Sequence, residues 1–285
     1  MVNVGGVIAN CKIELYKWKK DYRVSTIFII MGIVLFYYTS DIVNFMKMTG
    51  TSISQWLFPM LFGDYIVSMG LFKVLILFGI IILYCNAPFV DNIYSYVTIR
   101  SGFMTWCLGE ILYIIVSSLF FVLYIVILTI IRFIPRVEFI SDWGKVIGTL
   151  TLTNAGTTYT PLLVFSDKVV LNYNPLYATI ITIILLWLIS IMLGLILFVF
   201  NTFNRWKGLG VLICTFLILI DPLIIYFEKS SMIRFSPISW LSIENLKSQS
   251  MSNSPTVMYA IGMLIVINIV LICIALKQDK RNLMN

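Results

Sequence analysis

The sequence predicts an all-α integral membrane protein with six transmembrane helices, and two observations carry this prediction. Hydrophobic residues make up 60% of the chain and charged residues only 12%. Six apolar stretches are each close to the ~20 residues that a helix needs to cross a ~30 Å hydrocarbon layer. A soluble domain of 285 residues could not bury six such segments. We place the spans at 24–43, 66–86, 105–133, 176–200, 209–227 and 257–276.

The basic residues indicate the orientation of these spans. With six spans, eleven Lys and Arg residues fall on the side of the two termini, within short segments, and seven fall in the longer loops of the other side. Because short basic segments stay in the cytoplasm, both termini are expected there. We therefore expect a single transmembrane domain over 1–285, in a multi-pass protein of the cell membrane. The basic tails are expected to face anionic lipid, with no role in nucleic-acid binding.

The N-terminal segment 7–23 precedes the first span and has an amphipathic pattern. On a helical wheel its apolar side chains share one sector, formed by Ile8, Cys11, Leu15, Trp18 and Tyr22. Such a segment predicts an interfacial helix on the cytoplasmic surface. A basic anchor that only sets the orientation of the first span explains the same pattern equally well.

A second amphipathic segment lies between spans 2 and 3. Pro88 ends span 2, and the apolar residues Val90, Ile93, Tyr94 and Val97 recur at helical spacing. The pattern predicts a short cytoplasmic helix within 87–102. Asp91 lies in its first turn and Arg100 near its end, where each charge suits the helix dipole.

Two long external loops are expected, at 134–175 and 228–256. In the first, threonine and leucine alternate over Thr149–Thr153, which hints at an extended strand. Asn174 followed by Pro175 is typical of a helix start, with Asn as the N-cap. In the second loop, Ser236 and Pro237 precede an apolar side formed by Ile238, Trp240 and Leu241. There we expect a pair of short re-entrant or interfacial helices.

Three charged residues fall inside the predicted spans more than four residues from either end: Lys73, Glu110 and Asp221. A charge at mid-bilayer costs about 2.5–3.5 kcal/mol on insertion scales, so each needs a partner or water. Lys73 and Asp221 are expected at similar depth in the outer half. They either pair, line one cavity, or are unrelated charges near water. Glu110 lies about a turn from the inner boundary, so we expect it to snorkel or to contact a cytoplasmic segment.

Enzymatic chemistry is not expected of this chain. It contains no G-x-x-x-x-G-K-[ST] pattern for binding nucleotide phosphates, and no H-E-x-x-H, G-x-S-x-G or C-x-x-C pattern. Histidine is absent, which excludes histidine acid–base catalysis and histidine metal ligands. We expect no metal site and no cofactor in the chain. The five cysteines avoid the long external loops, so a disulfide framework is not expected.

The arrangement resembles the permease subunit of ATP-binding-cassette (ABC) transporters of the type-2 exporter class. The likeness lies in the order of elements: a basic amphipathic helix, six spans with both ends inside, a short amphipathic segment after span 2, and an external piece before span 6. In that family the segment after span 2 is the coupling helix that docks on the ATPase. The resemblance therefore assigns contact with an ATPase to Asp91, Tyr94, Tyr96 and Arg100.

The same resemblance implies partners that this chain does not contain. It implies a separate ABC ATPase subunit, which binds ATP and Mg, and a second permease chain that is identical or related. The substrate would be amphipathic, such as a peptide, lipid or drug, moved outward or between leaflets. Loop 134–175 departs from the family, whose connection between spans 3 and 4 is usually short.

Two other functions fit the sequence. The long outer loop would suit a non-transporting membrane protein that senses or sequesters a peptide or scaffolds a membrane complex. A secondary transporter is disfavoured, because the spans carry few charges and show no broken-helix repeat.

Overall fold

The computed structural model describes residues 3–18, 20–63, 70–87, 102–163, 165–203, 208–227, 230–246 and 254–277. These residues are mostly helical, and four helices are long and apolar enough to cross a membrane. The last four predicted spans are helical, with bounds that shift by no more than three residues. They are α5 (Phe103–Ile131), α9 (Pro175–Phe203), α10 (Leu209–Tyr226) and α11 (Val257–Leu276).

The first two predicted spans are shorter as helices than the apolar runs that predicted them. Helix α1 (Val4–Lys17) meets α2 (Tyr22–Tyr38) at a bend of 68°. Helix α2 ends at Tyr38, and α3 (Ser40–Thr49) begins two residues later, so the predicted span 24–43 is divided. The polar residues Ser40 and Asp41 explain the division, because Asp41 is favourable in the first turn of a new helix. Helix α4 (Leu71–Tyr84) is 14 residues long, about 21 Å.

Helix α9 is the centre of the bundle. It packs against α4, α5, α10 and α11, and 72% of its most apolar 18-residue stretch is buried. A helix enclosed on all sides needs apolar residues around its whole circumference, which is the pattern of its sequence. In α10 and α11 only 28% of the corresponding stretch is buried, so these helices turn a broad apolar face outward. As predicted, α9 begins at Pro175, and the Asn174 side chain accepts from the Leu176 amide at 3.3 Å.

The two ends of this bundle differ. At one end, which we call the α1 end, helix α1 lies on the start of α5, Ala87 follows the end of α4, and the end of α9 lies beside the start of α10. The Cys107 thiol, near the start of α5, donates to the Ala275 carbonyl near the end of α11 at 3.6 Å. The first and last described residues of the chain therefore lie at the same end.

The opposite end is covered by residues 40–62 and 132–174, which pack together and which we call the cap. Strands β1 (Ile53–Ser54) and β2 (Val137–Glu138) pair in parallel, with Ile53 opposite Val137. The Gln55 side chain donates to the Ile140 carbonyl at 3.0 Å and accepts from the Ile140 amide at 3.1 Å. Ser54 donates to the Trp143 carbonyl at 2.6 Å. Two segments far apart in the sequence thus form one layer.

The expectation of a strand at Thr149–Thr153 is wrong, because these residues belong to a helix of the cap. The cap contains α6 (Gly144–Leu152), α7 (Ala155–Tyr159) and α8 (Asp167–Asn172), so about half of the predicted loop 134–175 is helical. Each threonine hydroxyl donates to the carbonyl four residues earlier, as Thr151 does to Ile147 at 2.5 Å. These bonds let β-branched residues fit a helix, while Val146, Ile147 and Leu150 form its buried face.

The segment before α11 also differs from expectation. Residues 230–246 form 3₁₀ turns (Ser230–Phe235, Ser239–Leu241 and Ile243–Asn245) in place of the expected pair of helices. Their backbone bonds join residues three apart, as from the Leu241 amide to the Ile238 carbonyl at 3.2 Å. The predicted apolar side is confirmed, because Ile238, Trp240 and Leu241 are buried.

Candidate functional site

The most unusual polar feature of the bundle is an ion pair between two helices. Nζ of Lys73, in the first turn of α4, lies 2.6 Å from Oδ2 of Asp221 in α10, and both side chains are 0% exposed. The structure thus confirms the hypothesis that these two residues pair. Their approach follows from the fold, because α4 and α10 pack against each other.

Two serines of the 3₁₀ segment extend the pair into a chain of contacts. Ser239 donates to Oδ1 of Asp221 at 2.5 Å, and Lys73 donates to the Ser242 hydroxyl at 3.0 Å. Ser242 in turn donates to the Phe62 carbonyl at 2.6 Å. Sequence analysis did not identify either serine as part of the site. The only signal was a run of serines three residues apart beside buried apolar residues.

This buried charge network joins four parts of the chain that are distant in sequence. It includes α4, α10, the segment 230–246 and the 3₁₀ segment Gln55–Phe62 of the cap. Each charge faces an opposite charge and a hydroxyl, which is the condition for keeping ions in an apolar interior. The desolvation cost offsets much of the attraction, so the network contributes little net stability. Removing one member, however, would leave an uncompensated buried charge, so the network strongly favours one arrangement of these segments.

Glu110 lies at the other end, beneath helix α1. It is 1% exposed, so the expectation that its carboxylate snorkels to the surface is wrong. The alternative expectation, contact with a cytoplasmic segment, agrees with its place near Cys11 of α1. Glu110 is buried because α1 packs on this part of α5.

Helix α1 packs closely on α5 through small residues. A methyl group built at Gly109 would lie 2.6 Å from the Asn10 Cβ, and one built at Gly6 would lie 2.9 Å from the Thr105 Cγ2. Small residues let two helix backbones approach in this way. The Trp18 indole also donates to the Tyr113 hydroxyl at 2.7 Å. Helix α1 is therefore fixed to the bundle.

The face that α1 buries overlaps the predicted apolar sector only in part. From that sector Cys11 is buried together with the polar residues Asn10 and Glu14, and Leu15 packs against the core, whereas Ile8 is 46% exposed. The segment 4–17 is helical, as expected, but polar side chains share its buried face. The exposed part of the apolar sector suits the lipid interface predicted for this helix.

Asn201, in the last turn of α9, connects three helices at the α1 end and was missed in the sequence. Its Nδ2 donates to the Ala87 carbonyl at 3.0 Å, and its Oδ1 accepts from the Gly210 amide at 3.2 Å. The only sequence signal is an asparagine at the end of an apolar run, shortly before Gly208 and Gly210.

The residues assigned to ATPase contact, Asp91, Tyr94, Tyr96 and Arg100, lie outside the described residues. The residues on either side of them are described: Ala87 follows α4, and Gly102 precedes α5 with a positive φ of 83°. Ala87 and Gly102 therefore both lie at the α1 end.

Other polar groups of the spans also have defined places. Arg132, which sequence analysis did not single out, ends α5 with its guanidinium 4.6 Å from the centre of the Phe36 ring. Asn268 of α11 donates to the Leu188 carbonyl of α9 at 3.1 Å. These polar groups therefore hold neighbouring helices together.

Within the described ranges, no three His, Cys, Asp or Glu side chains are grouped so as to hold a metal ion.

Comparison with known proteins gave no relative. A scan against protein-family models, a search of curated proteins and a search of solved structures each found no significant match to this chain.

Proposed function

We propose that this chain is the membrane-spanning permease subunit of an ATP-driven exporter of the type-2 ABC class. It would work with a separate ATPase subunit and a second permease chain, and would move an amphipathic substrate outward or between leaflets. The observation that carries the proposal is the geometry of the α1 end. The described residues on either side of segment 88–101, Ala87 and Gly102, both lie at this end, where Asn201 of α9 bonds to Ala87 and to Gly210 of α10. An ATPase that binds this segment would act on the bundle at one face.

The course of the helices supports six crossings with both termini in the cytoplasm. Helices α4 and α9 end at the α1 end, and α5 and α10 begin there. Counting α2 and α4 with the four long helices gives six segments that alternate in direction. The excess of short basic segments on the side of the termini then assigns the α1 end to the cytoplasm.

The mechanism that follows is a rigid-body motion. Binding of ATP closes the partner ATPase dimer, which displaces segment 88–101 together with the α1 end of the bundle. The buried charge network holds the cap, α4 and α10 together at the cap end, so a displacement at the α1 end is passed to the cap as a rigid-body motion. Substrate would pass between the two permease chains as they separate.

Native co-purification tests this proposal. A tagged chain extracted under mild conditions is expected to retain an ATPase, detected as ATP hydrolysis and identified by mass spectrometry. Tyr94→Ala and Arg100→Glu should remove it, because both positions lie in the proposed docking segment. Tyr226→Ala and Lys168→Glu, which alter exposed residues at the cap end, are matched controls that should retain it. Retention of the ATPase by the docking variants, or its absence from the unmodified chain, would overturn the proposal.

A second function is favoured by one observation, the folded cap. Residues 132–174 form helices and are joined to residues 40–62 by defined hydrogen bonds, which is more structure than a simple connection requires. We propose as the alternative a non-transporting membrane protein whose cap binds a peptide or scaffolds a complex. Co-purification of a peptide or another membrane protein without any ATPase would favour it.

A further inference from the structure

The side chain of Asn201 bonds to one backbone group just beyond α4 and to another in the first turn of α10. The first amides of a helix have no partner within that helix. Ala87 follows the end of α4, and its carbonyl accepts from Nδ2 of Asn201. Gly210 lies in the first turn of α10, and its amide donates to Oδ1 of the same side chain. The N-cap of α10 is Gly208, which has no side chain to bond this amide.

Both contacts require a side chain that donates and accepts at once, as the Asn201 amide does. A carboxylate could accept from Gly210 but could not donate to Ala87, and an aliphatic side chain could do neither. The third helix, α9, carries the amide in its last turn. Asn201 is thus bonded directly to the residue that precedes segment 88–101 and to the helix that carries Asp221.

The contact with α10 also depends on the absence of a side chain at position 210. A methyl group built on Gly210 would lie 2.8 Å from Oδ1 of Asn201 and 3.1 Å from Cα of Leu197. The glycine lets the backbone of α10 reach both the amide and the backbone of α9. The junction is therefore a close contact between two helices with one polar side chain within it.

We propose that Asn201 is the positioning residue that transmits movement of segment 88–101 to α9 and α10. This inference rests on the proposed function, because the ATPase is the source of the movement. The contact of Asn201 with Ala87 and Gly210 is independent of that function. A displacement of Ala87 pulls on the Asn201 amide, which moves the end of α9 and the start of α10 together. Asn201 touches no substrate and acts only through these two bonds.

The contact is tested first on the chain alone, in lipid nanodiscs, by amide hydrogen exchange. Losing a hydrogen bond to a neutral group should raise amide exchange in the turn that it holds about five- to tenfold. Asn201→Leu should accelerate 208–213, where the Gly210 amide loses its acceptor, and 84–87, where the Ala87 amide donates to the Tyr84 carbonyl within the turn that Asn201 holds. Asn201→Asp, which cannot donate to the Ala87 carbonyl, should accelerate only 84–87. Asn268→Leu, which removes a comparable amide-to-carbonyl bond in mid-bundle, should accelerate neither. Unchanged exchange at 84–87 in Asn201→Asp would overturn the inference.

Transmission is tested on the complex with its co-purified ATPase. The measured quantity is the rate of ATP hydrolysis in the complex relative to the isolated ATPase. Asn201→Asp should retain the ATPase yet reduce the effect of the permease on this rate by about fivefold or more. A purely structural role would lower retention and thermal stability instead. An unchanged rate ratio, or an equal loss in Asn268→Leu, would refute transmission.

The two proposals fail differently. If the unmodified chain retains no ATPase, the proposed function fails, whereas the exchange measurement still decides whether Asn201 joins the three helices.

Discussion

Replacing Lys73 with methionine keeps the length of the side chain and removes its charge. The Asp221 carboxylate would then be fully buried without an opposite charge, beside the Ser239 hydroxyl. Removing one member of a buried pair costs about 3–5 kcal/mol, because the remaining charge is left uncompensated. Asp221→Leu should cost a similar amount, since the Lys73 ammonium would lose the carboxylate 2.6 Å away while remaining buried.

The double variant should be more stable than either single variant. With both charges removed, the site loses the hydrogen bonds to Ser239 and Ser242, at about 1 kcal/mol each. The desolvation cost of burying two ions is removed as well, which favours the folded state. The predicted coupling free energy between positions 73 and 221 is therefore about 3 kcal/mol or more. Exchanging the residues (Lys73→Asp with Asp221→Lys) should restore the pair incompletely, because Ser242 cannot donate to Phe62 and to a carboxylate at once.

Unfolding of these variants can be followed with the buried cysteines as reporters. Cys107 and Cys214 are each 0% exposed, so a fluorogenic maleimide reacts with them only as the bundle opens. Arg23→Met is the matched control, since it breaks an ion pair with Asp21 of 2.8 Å that is largely exposed and should cost less than about 1 kcal/mol. Additive losses in the double variant would refute the view that Lys73 and Asp221 stabilise each other.

Three further predictions concern other contacts. Gly109→Ala should separate α1 from α5 at a cost of about 1–3 kcal/mol and expose Cys11 to maleimide, whereas Gly262→Ala, with open space around it, should not. Gln55→Leu removes both bonds to Ile140 and should accelerate tryptic cleavage at Lys145; equal cleavage of wild type and variant would contradict this role. Arg23 donates hydrogen bonds to the Asp21 carboxylate and so lowers its pKa. The contribution of this ion pair to the free energy of unfolding should be complete above the unfolded pKa of about 3.9, and it should be lost as pH falls through the lower folded value. Asp21→Asn should abolish that loss when unfolding is measured against pH.

Hydropathy was enough to predict the long helices, because crossing a membrane requires a run of apolar residues whatever the surrounding fold. Helix α11 has the bounds that its sequence predicts, 257–276. The Lys73–Asp221 pair could also be predicted from the sequence, since counting residues along two antiparallel spans places both charges at similar depth. The start of α9 followed from local chemistry, with Asn174 and Pro175 at a helix N-terminus.

Features that depend on distant segments were not accessible from local patterns. The pairing of Ile53 with Val137 builds the cap from residues more than eighty positions apart, and no periodicity indicates it. The threonine alternation suggested a strand because the hydroxyl bonds that favour a helix are invisible in the pattern. Asn201 looked like a polar residue at a span end, and only the fold brings Ala87 and Gly210 to it.

The central claim is that segment 88–101 lies on the cytoplasmic face and receives an ATPase there. The most direct measurement is labelling by a membrane-impermeant maleimide of Tyr96→Cys, in a chain whose five native cysteines are replaced by serine, with Asp142→Cys in the cap as the matched control. We predict that the position-96 variant reacts in inverted vesicles only, and more slowly when the ATPase is bound, whereas the position-142 variant reacts only in right-side-out vesicles. Reaction at position 96 from the external side, or a rate that the ATPase does not change, would contradict the claim.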